Sequence, residues 1–299
     1  MQTKYVGGLV VVAACLWGAI GLFSRILTDA GMNAIQITTT RSLVTAIGLL
    51  IWAGSKGKWR IAYQDIWMFL GTGLCSVAGF NIFYFLTMTQ TTLSLAAVLL
   101  YTAPFFVLLL SAVCFGERLT RQKIICSILA LCGCICTTGI LCGNLSVTPL
   151  GILTGVASGF CYALYSIFGK FALQKYRFET VTLYTFLVAA LTLLPFSHPV
   201  ELVQIAVSSP KVAVVSLLLG LIFTLLPFLL YTKGLSGISS GTASVLAFAE
   251  PLTATVLGVI VFGEYPDLFG WLGVGLLFVA LVLLQRPQPL PQHEAEKIQ

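Results

Sequence analysis

Charge is what this chain lacks most. Of 299 residues only 9% are charged, 16 Lys and Arg with 10 Asp and Glu, where a soluble domain usually carries about 25%. A surface so poor in charge does not hold a 32.1 kDa globule in water, and the mean hydropathy of +1.00 agrees. Soluble enzymes, nucleic-acid binders and disordered chains are excluded on that ground. The net charge of +6 makes no case for nucleic acid, because the basic residues are scattered over short connections rather than gathered on one face. Histidine is scarcer still. His198 falls in an outer loop and His293 in the C-terminal tail, so no base stands beside a serine and no carboxylate-histidine cluster exists to hold a metal. Two enzyme-like strings, Gly234-Leu235-Ser236-Gly237 and Gly237-Ile238-Ser239-Ser240-Gly241, are discounted for that reason. No catalytic residue, cofactor or metal is expected.

What the chain has is apolar length, with 58% hydrophobic residues. A membrane-crossing helix needs about 20 largely apolar residues. Ten such stretches are predicted, at Tyr5–Leu27, Ile35–Ala53, Ile66–Met88, Ser94–Phe115, Ile124–Leu141, Leu150–Phe171, Thr180–Phe196, Val212–Tyr231, Thr242–Phe262 and Leu268–Leu284. They are continuously apolar rather than alternating, which excludes a β-barrel. The expected fold is an all-α polytopic membrane protein. Val12-Ala13-Ala14-Cys15 loosely fits a lipoprotein processing site, but the apolar run continues past Cys15 and reads as a span. The polar, Pro-rich residues 287–299 are expected to form a disordered cytoplasmic tail.

With both termini in the cytoplasm, thirteen Lys and Arg lie on that side, from Lys4 to Lys297, against Arg25 and Lys211 on the other; Arg41 lies inside the second span. That bias follows the positive-inside rule. All nine cysteines except Cys142 fall within spans, where Cys is a packing residue. Cys132, Cys134 and Cys136 do not converge on one ion, because a spacing of two turns successive helical side chains apart by roughly 200°. The sequon Asn144-Leu145-Ser146 lies too near the membrane for use to be expected.

The chain also repeats itself. Shifted by 147 positions, Leu70 meets Leu217, Gly73 meets Gly220, Tyr84 meets Tyr231, and Ala96, Val98 and Leu99 meet Ala243, Val245 and Leu246. Pro104 meets Pro251, and Phe115-Gly116-Glu117 meets Phe262-Gly263-Glu264. A shift of 145 sets Trp17 on Tyr162 and Arg25 on Lys170. The expected units are residues 1–141 and 150–286. Each holds five spans, an odd number, so the halves enter the membrane in opposite directions, with Glu117 inside and Glu264 outside. Inverted repeats of this kind typify secondary transporters.

The Leu16-Trp17-Gly18 of the first span, Arg41, Pro104 with Phe115-Gly116-Glu117, and the second-half run Ala243-Ser244-Val245-Leu246, Glu250-Pro251 and Phe262-Gly263-Glu264 carry a resemblance. Over its whole length the chain resembles the drug/metabolite transporter superfamily, EamA type. The resemblance implies ten helices in two inverted five-helix units around a central cavity. It implies that the third, fourth, eighth and ninth spans rock, and that small metabolites move, with export of amino acids a common case. The fourth span departs in having Ala103 where the ninth has Glu250, so the halves are not chemically equivalent. A sugar or nucleotide-sugar carrier of the same superfamily is the second reading, although a phosphate would need several Arg or Lys at depth. An intramembrane enzyme or lipid-handling protein would need a reactive cluster. The expected partners are a small-molecule substrate and membrane lipids, without nucleic acid or a required oligomer.

Glu250 stands out because a carboxylate in mid-span costs about 2.5–3.5 kcal/mol to insert. It is either a protonatable coupling site or ligand for a substrate amine, or a structural carboxylate satisfied by helix groups that Pro251 frees or paired with a basic residue. Arg41 is either a snorkelling or helix-pairing guanidinium or the receptor of a substrate carboxylate. Asn81, Tyr84, Tyr231, Tyr101, Trp17, Tyr162 and Tyr165 occupy spans that would border a pathway, although Trp and Tyr also anchor helix ends. Pro104, Pro227 and Pro251 each remove a backbone donor within a span, as suits gating helices. Gly151, Gly155 and Gly159 form a close-packing face.

Overall fold

The computed structural model describes residues 2–54, 59–140, 148–207 and 209–284. Cys142, the Asn144 sequon, His293 and the tail lie outside the described residues. Every regular element among the described residues is helical. In chain order the long helices are α1 (Tyr5–Asp29), α2 (Ala34–Trp52), α3 (Tyr63–Gln90), α4 (Leu93–Phe115), α5 (Arg121–Thr137), α6 (Pro149–Leu173), α7 (Phe178–Ser197), α8 (Pro210–Gly237), α9 (Ser240–Phe262) and α10 (Leu268–Leu284). Eight of them are long and apolar enough to cross a membrane. The other two, α5 and α10, have 17 residues each. The fifth expected span runs on to residue 141, beyond the described residues.

The helix ends follow from local chemistry. Thr92, Thr148, Ser209 and Ser239 each precede a helix and accept a hydrogen bond from the N–H three residues on, satisfying one of the donors that a helix start leaves bare. Gly116 and Gly263 end α4 and α9 in the left-handed region, at φ 64° and 66°, which glycine adopts without strain. The N–H of Glu117 then reaches back to Ser111 O, and that of Glu264 to Gly258 O. The repeated Phe-Gly-Glu is thus a helix stop that projects a carboxylate.

Large apolar side chains cover the outside; Leu153, Leu191, Val113 and Ile260 are more than two-thirds exposed. Hydrocarbon accepts such a surface, and the helices leave no open backbone edge in it. Inside, packing partners exchange between the halves: α1 lies against α8 and α9, while α6 lies against α3 and α4. The pairs α2–α7 and α5–α10 bring matching helices together. At the α5–α10 crossing, a Cβ on Gly133 would fall 2.9 Å from Gly273 O, and one on Gly273 would fall 2.6 Å from Gly133 O. Gly151, Gly155 and Gly159 meet Thr91, Leu99 and Thr102 with equally little room. Small residues let these backbones touch.

Candidate functional site

Three spans are interrupted where they reach the centre. Helical geometry lapses in α1 at Ala19, in α4 at Tyr101–Thr102 and in α9 at Ala247–Phe248. Pro104 and Pro251 lie in the first turn of the pieces that follow, Ala103–Phe115 and Ala249–Phe262, where a missing N–H breaks no helical bond. These prolines therefore begin a helix rather than kink a continuous one. Pro227 lies in the first turn of Leu226–Gly237, directly after a π-helical stretch, Leu221–Leu225. The helix α3 has its own π-helical stretch, Gly71–Ala78, and the 147-residue shift carries positions 71–78 onto 218–225. Such stretches unsettle the backbone ladder and concentrate at functional sites. Beside the first of them, Asn81 Nδ2 donates to Val77 O at 2.7 Å, while Asn81 Oδ1 accepts from Thr38 Oγ1 at 2.9 Å.

Between these breaks lies a cavity of about 850 Å³. Arg41, Asn81, Tyr84 and Tyr101 line it, as do Trp17, Tyr162, Tyr165, Tyr231 and Glu250. Every non-proline residue singled out from the sequence as a pathway or coupling candidate is therefore on one wall or another. The three prolines are buried and do not line the cavity.

Tyr231 is buried and shares a 2.8 Å hydrogen bond with Ser166, and Tyr165 one of 2.6 Å with Thr232. Trp17 packs on Tyr231 and Phe228, with ring centroids 5.2 and 5.0 Å away. Tyr162 stands edge-on to Phe80 at 5.4 Å. Tyr101 and Phe248, which the 147-residue shift equates, meet at 6.0 Å where the two broken helices pass each other.

The depth of the cavity holds one cation and one anion, Arg41 and Glu250. The other charged residues on its lining, Arg25 and Glu264, stand at its mouth. Glu250 interacts through space with Arg41 and with the nearby Tyr162 hydroxyl. Arg41 Nε and Trp17 Nε1 are buried and have no acceptor among the described residues.

The cavity's ends differ. At the mouth, both terminal nitrogens of Arg25 lie 3.2 Å from Glu264 Oε1, the guanidinium sits 4.1 Å above the Phe262 ring, and both charged side chains are more than half exposed. Outside the cavity's lining, at the start of α9, Glu117 accepts from Ser240 N at 2.8 Å and Gly241 N at 3.2 Å. Lys170 Nζ lies 3.7 Å from Glu117 Oε1 and donates to Ile238 O at 2.6 Å. Lys123 Nζ donates to Ser239 Oγ at 2.9 Å.

The sequence repeat pairs Arg25 with Lys170 and Glu117 with Glu264 but does not reveal that each base binds an acid at its own end of the cavity. Nor does it reveal the helix lapses or Ser166. Composition carries no signal for them, although the repeat already holds the register of the ion pairs.

The EamA-like transporter family matches the chain twice, over residues 6–139 and 149–286. The chain is 25% identical to the uncharacterized transporter YwfM of Bacillus subtilis, over 96% of this chain and 95% of that one. It is 23% identical to a probable terminal-alkyne amino-acid exporter of Streptantibioticus cattleyicolor, over 92% of each. A crystal structure 19% identical in sequence matches 95% of this chain and 96% of its own, with a TM-score of 0.76, which shows a shared fold. Matched in both halves and built of apolar helices around a cavity, the chain belongs to the EamA-like transporter family, as a multi-pass protein of the cell membrane.

Proposed function

We propose that this protein exports a small zwitterionic metabolite of amino-acid type by alternating access, through ten spans in two inverted five-helix units with both termini cytoplasmic. The observation that carries the substrate class is the single Arg41–Glu250 pair in an otherwise uncharged cavity depth. A zwitterion offers one charge to each. The unpaired Arg41 Nε and Trp17 Nε1 add two donors for a carboxylate, since buried donors are ordinarily satisfied. The distant similarity to a probable amino-acid exporter supports the same class.

The exchange of packing partners between the halves supports the inverted arrangement, and the thirteen-to-two charge bias supports the sidedness. On that assignment the mouth at Arg25 faces outward, and the end at Glu117 is the cytoplasmic one. Proton coupling through Glu250 belongs to the same proposal.

Counterflow in proteoliposomes tests it. Vesicles loaded with a panel of amino acids are expected to accumulate labelled substrate. Analogues lacking the amine or the carboxylate should exchange about tenfold more slowly or worse, the cost of one unmatched charge at about 1.4 kcal/mol or more. Equal exchange of amine-free, carboxylate-free and zwitterionic analogues, or a preference for sugar phosphates, would sink the substrate assignment.

A further inference from the structure

The two ends of the cavity carry the same parts in different states of engagement. At the closed end, the carboxylate projecting from the first Phe-Gly-Glu grips the Ser240 and Gly241 N–H groups at the start of α9, and Ser239 caps that start by accepting from Thr242 N at 3.2 Å. The 147-residue shift carries positions 239–242 onto Thr92, Leu93, Ser94 and Leu95. Thr92 caps α4 in the same way, accepting from Leu95 N at 3.2 Å. The N–H groups of Leu93 and Ser94 have no side-chain acceptor among the described residues. Glu264, the matching carboxylate, is held by Arg25 instead. Leu93 and Glu264 both border the mouth, so closing the mouth would narrow the gap between them.

We propose that Glu117 and Glu264 are alternating latches, each closing its own end of the cavity by capping the start of the opposite half's gating helix. In the second state Glu264 accepts from the N–H groups of Leu93 and Ser94, while Glu117 releases Ser240 and Gly241 and stays paired with Lys170. A carboxylate at a helix start satisfies bare donors and meets the favourable end of the helix dipole, so each latch is strong only when its end is shut. The parts are not quite equal. Lys123 fastens Ser239 at the closed end, and the shift places Gly270 at the matching position, so the mouth has no second fastening of this kind. The state seen here is accordingly the favoured one. This inference rests on the alternating-access reading, and its test does not require the substrate.

The full-length protein, freed of its nine cysteines and given Ala97→Cys on the cavity wall, is labelled with an impermeant maleimide from each side of the membrane separately. Size-exclusion chromatography confirms that each variant is folded. Glu117→Gln is expected to shift the ratio of the two labelling rates roughly fivefold, lowering the rate from the Arg25 side and raising it from the other, the shift in equilibrium that losing an ordinary cap produces. Glu264→Gln should do the opposite, weakening labelling from the Lys170 side. The double variant should return the ratio toward that of the parent. Shifts of the same direction in both single variants, or labelling from both sides with rates that neither variant moves, would overturn the latches and leave alternation standing. Labelling from one side only, in the parent and both variants, would overturn alternation and the latches together.

Discussion

The end of the molecule around Glu117 is shut and the end around Glu264 is open, though both are built from one motif. Each has a Phe-Gly-Glu helix stop, a capped helix start facing it, and a basic residue of the other half beside the acid. The difference lies in what the acids hold. Glu117 is nearly buried and bonds to backbone donors, whereas Glu264 is more than half exposed and, among the described residues, bonds to Arg25 alone. A repeated sequence thus supports an unsymmetrical structure, because the two halves need not stand in the same relation to each other at the two ends. The asymmetry is one of conformation, with Lys123 as the compositional exception.

The most severe way to break this comparison is to weld the shut end. A Cβ on Gly241 would lie 2.6 Å from Leu108 Cδ2, so Leu108→Cys with Gly241→Cys, in a cysteine-free background, brings two thiols together between α4 and α9. The cross-linked protein is expected to keep its fold and lose transport to background, with activity returning on reduction. Full transport by a verified cross-linked sample would show that α4 and α9 do not need to separate there.

A smaller effect is expected at the floor of the cavity, which both states share. Arg41→Gln removes the cation whose field reaches Glu250 across the depth of the cavity. It should lower the melting temperature and reduce counterflow by at least about tenfold. Glu250→Gln keeps the shape and hydrogen bonding of a neutral carboxyl. If Glu250 couples transport to protons, as proposed, the Gln variant should still transport but with a flattened pH profile. Counterflow against pH, normalised to folded protein, decides this; a profile unchanged from that of the parent removes Glu250 as the coupling residue.

Much of this floor is legible in the sequence, for a physical reason. Polar groups in mid-span are costly, so Glu250, Arg41 and Asn81 have to face inward, and the cavity receives all three. Helix positions are legible from apolar length alone: a span is expected at Thr242–Phe262, and α9 covers Ser240–Phe262. Pro104 and Pro251 identify the broken helices but not the form of the break, since within a span proline occurs both at a kink and in a first turn. The π-helical stretches leave no trace, because Gly71–Ala78 and Leu221–Leu225 are as apolar as their neighbours. The choice of which end is shut is legible only through Lys123, whose repeat partner is Gly270. Both Phe-Gly-Glu stops are present in the sequence, and their engagement depends on how whole helices lean.

The smallest expected effect separates the two ion pairs. Arg25 and Glu264 are exposed on both sides of their contact, and exposed pairs are worth about 0–1 kcal/mol after screening and side-chain entropy are counted. Lys170 is mostly enclosed, sits beside a nearly buried Glu117 and donates to a backbone carbonyl; hydrogen bonds of a charged group are worth about 1.5–3 kcal/mol. Arg25→Met should therefore leave the melting temperature within error of the parent, and Lys170→Met should lower it measurably. Salt sharpens the contrast, because screening acts on exposed pairs far more than on enclosed ones. Raising ionic strength should erase any residual Arg25 effect and leave most of the Lys170 effect in place. Equal losses in the two variants at low and high salt would mean that the mouth is held as firmly as the shut end, and the distinction between an engaged and a disengaged end would fail.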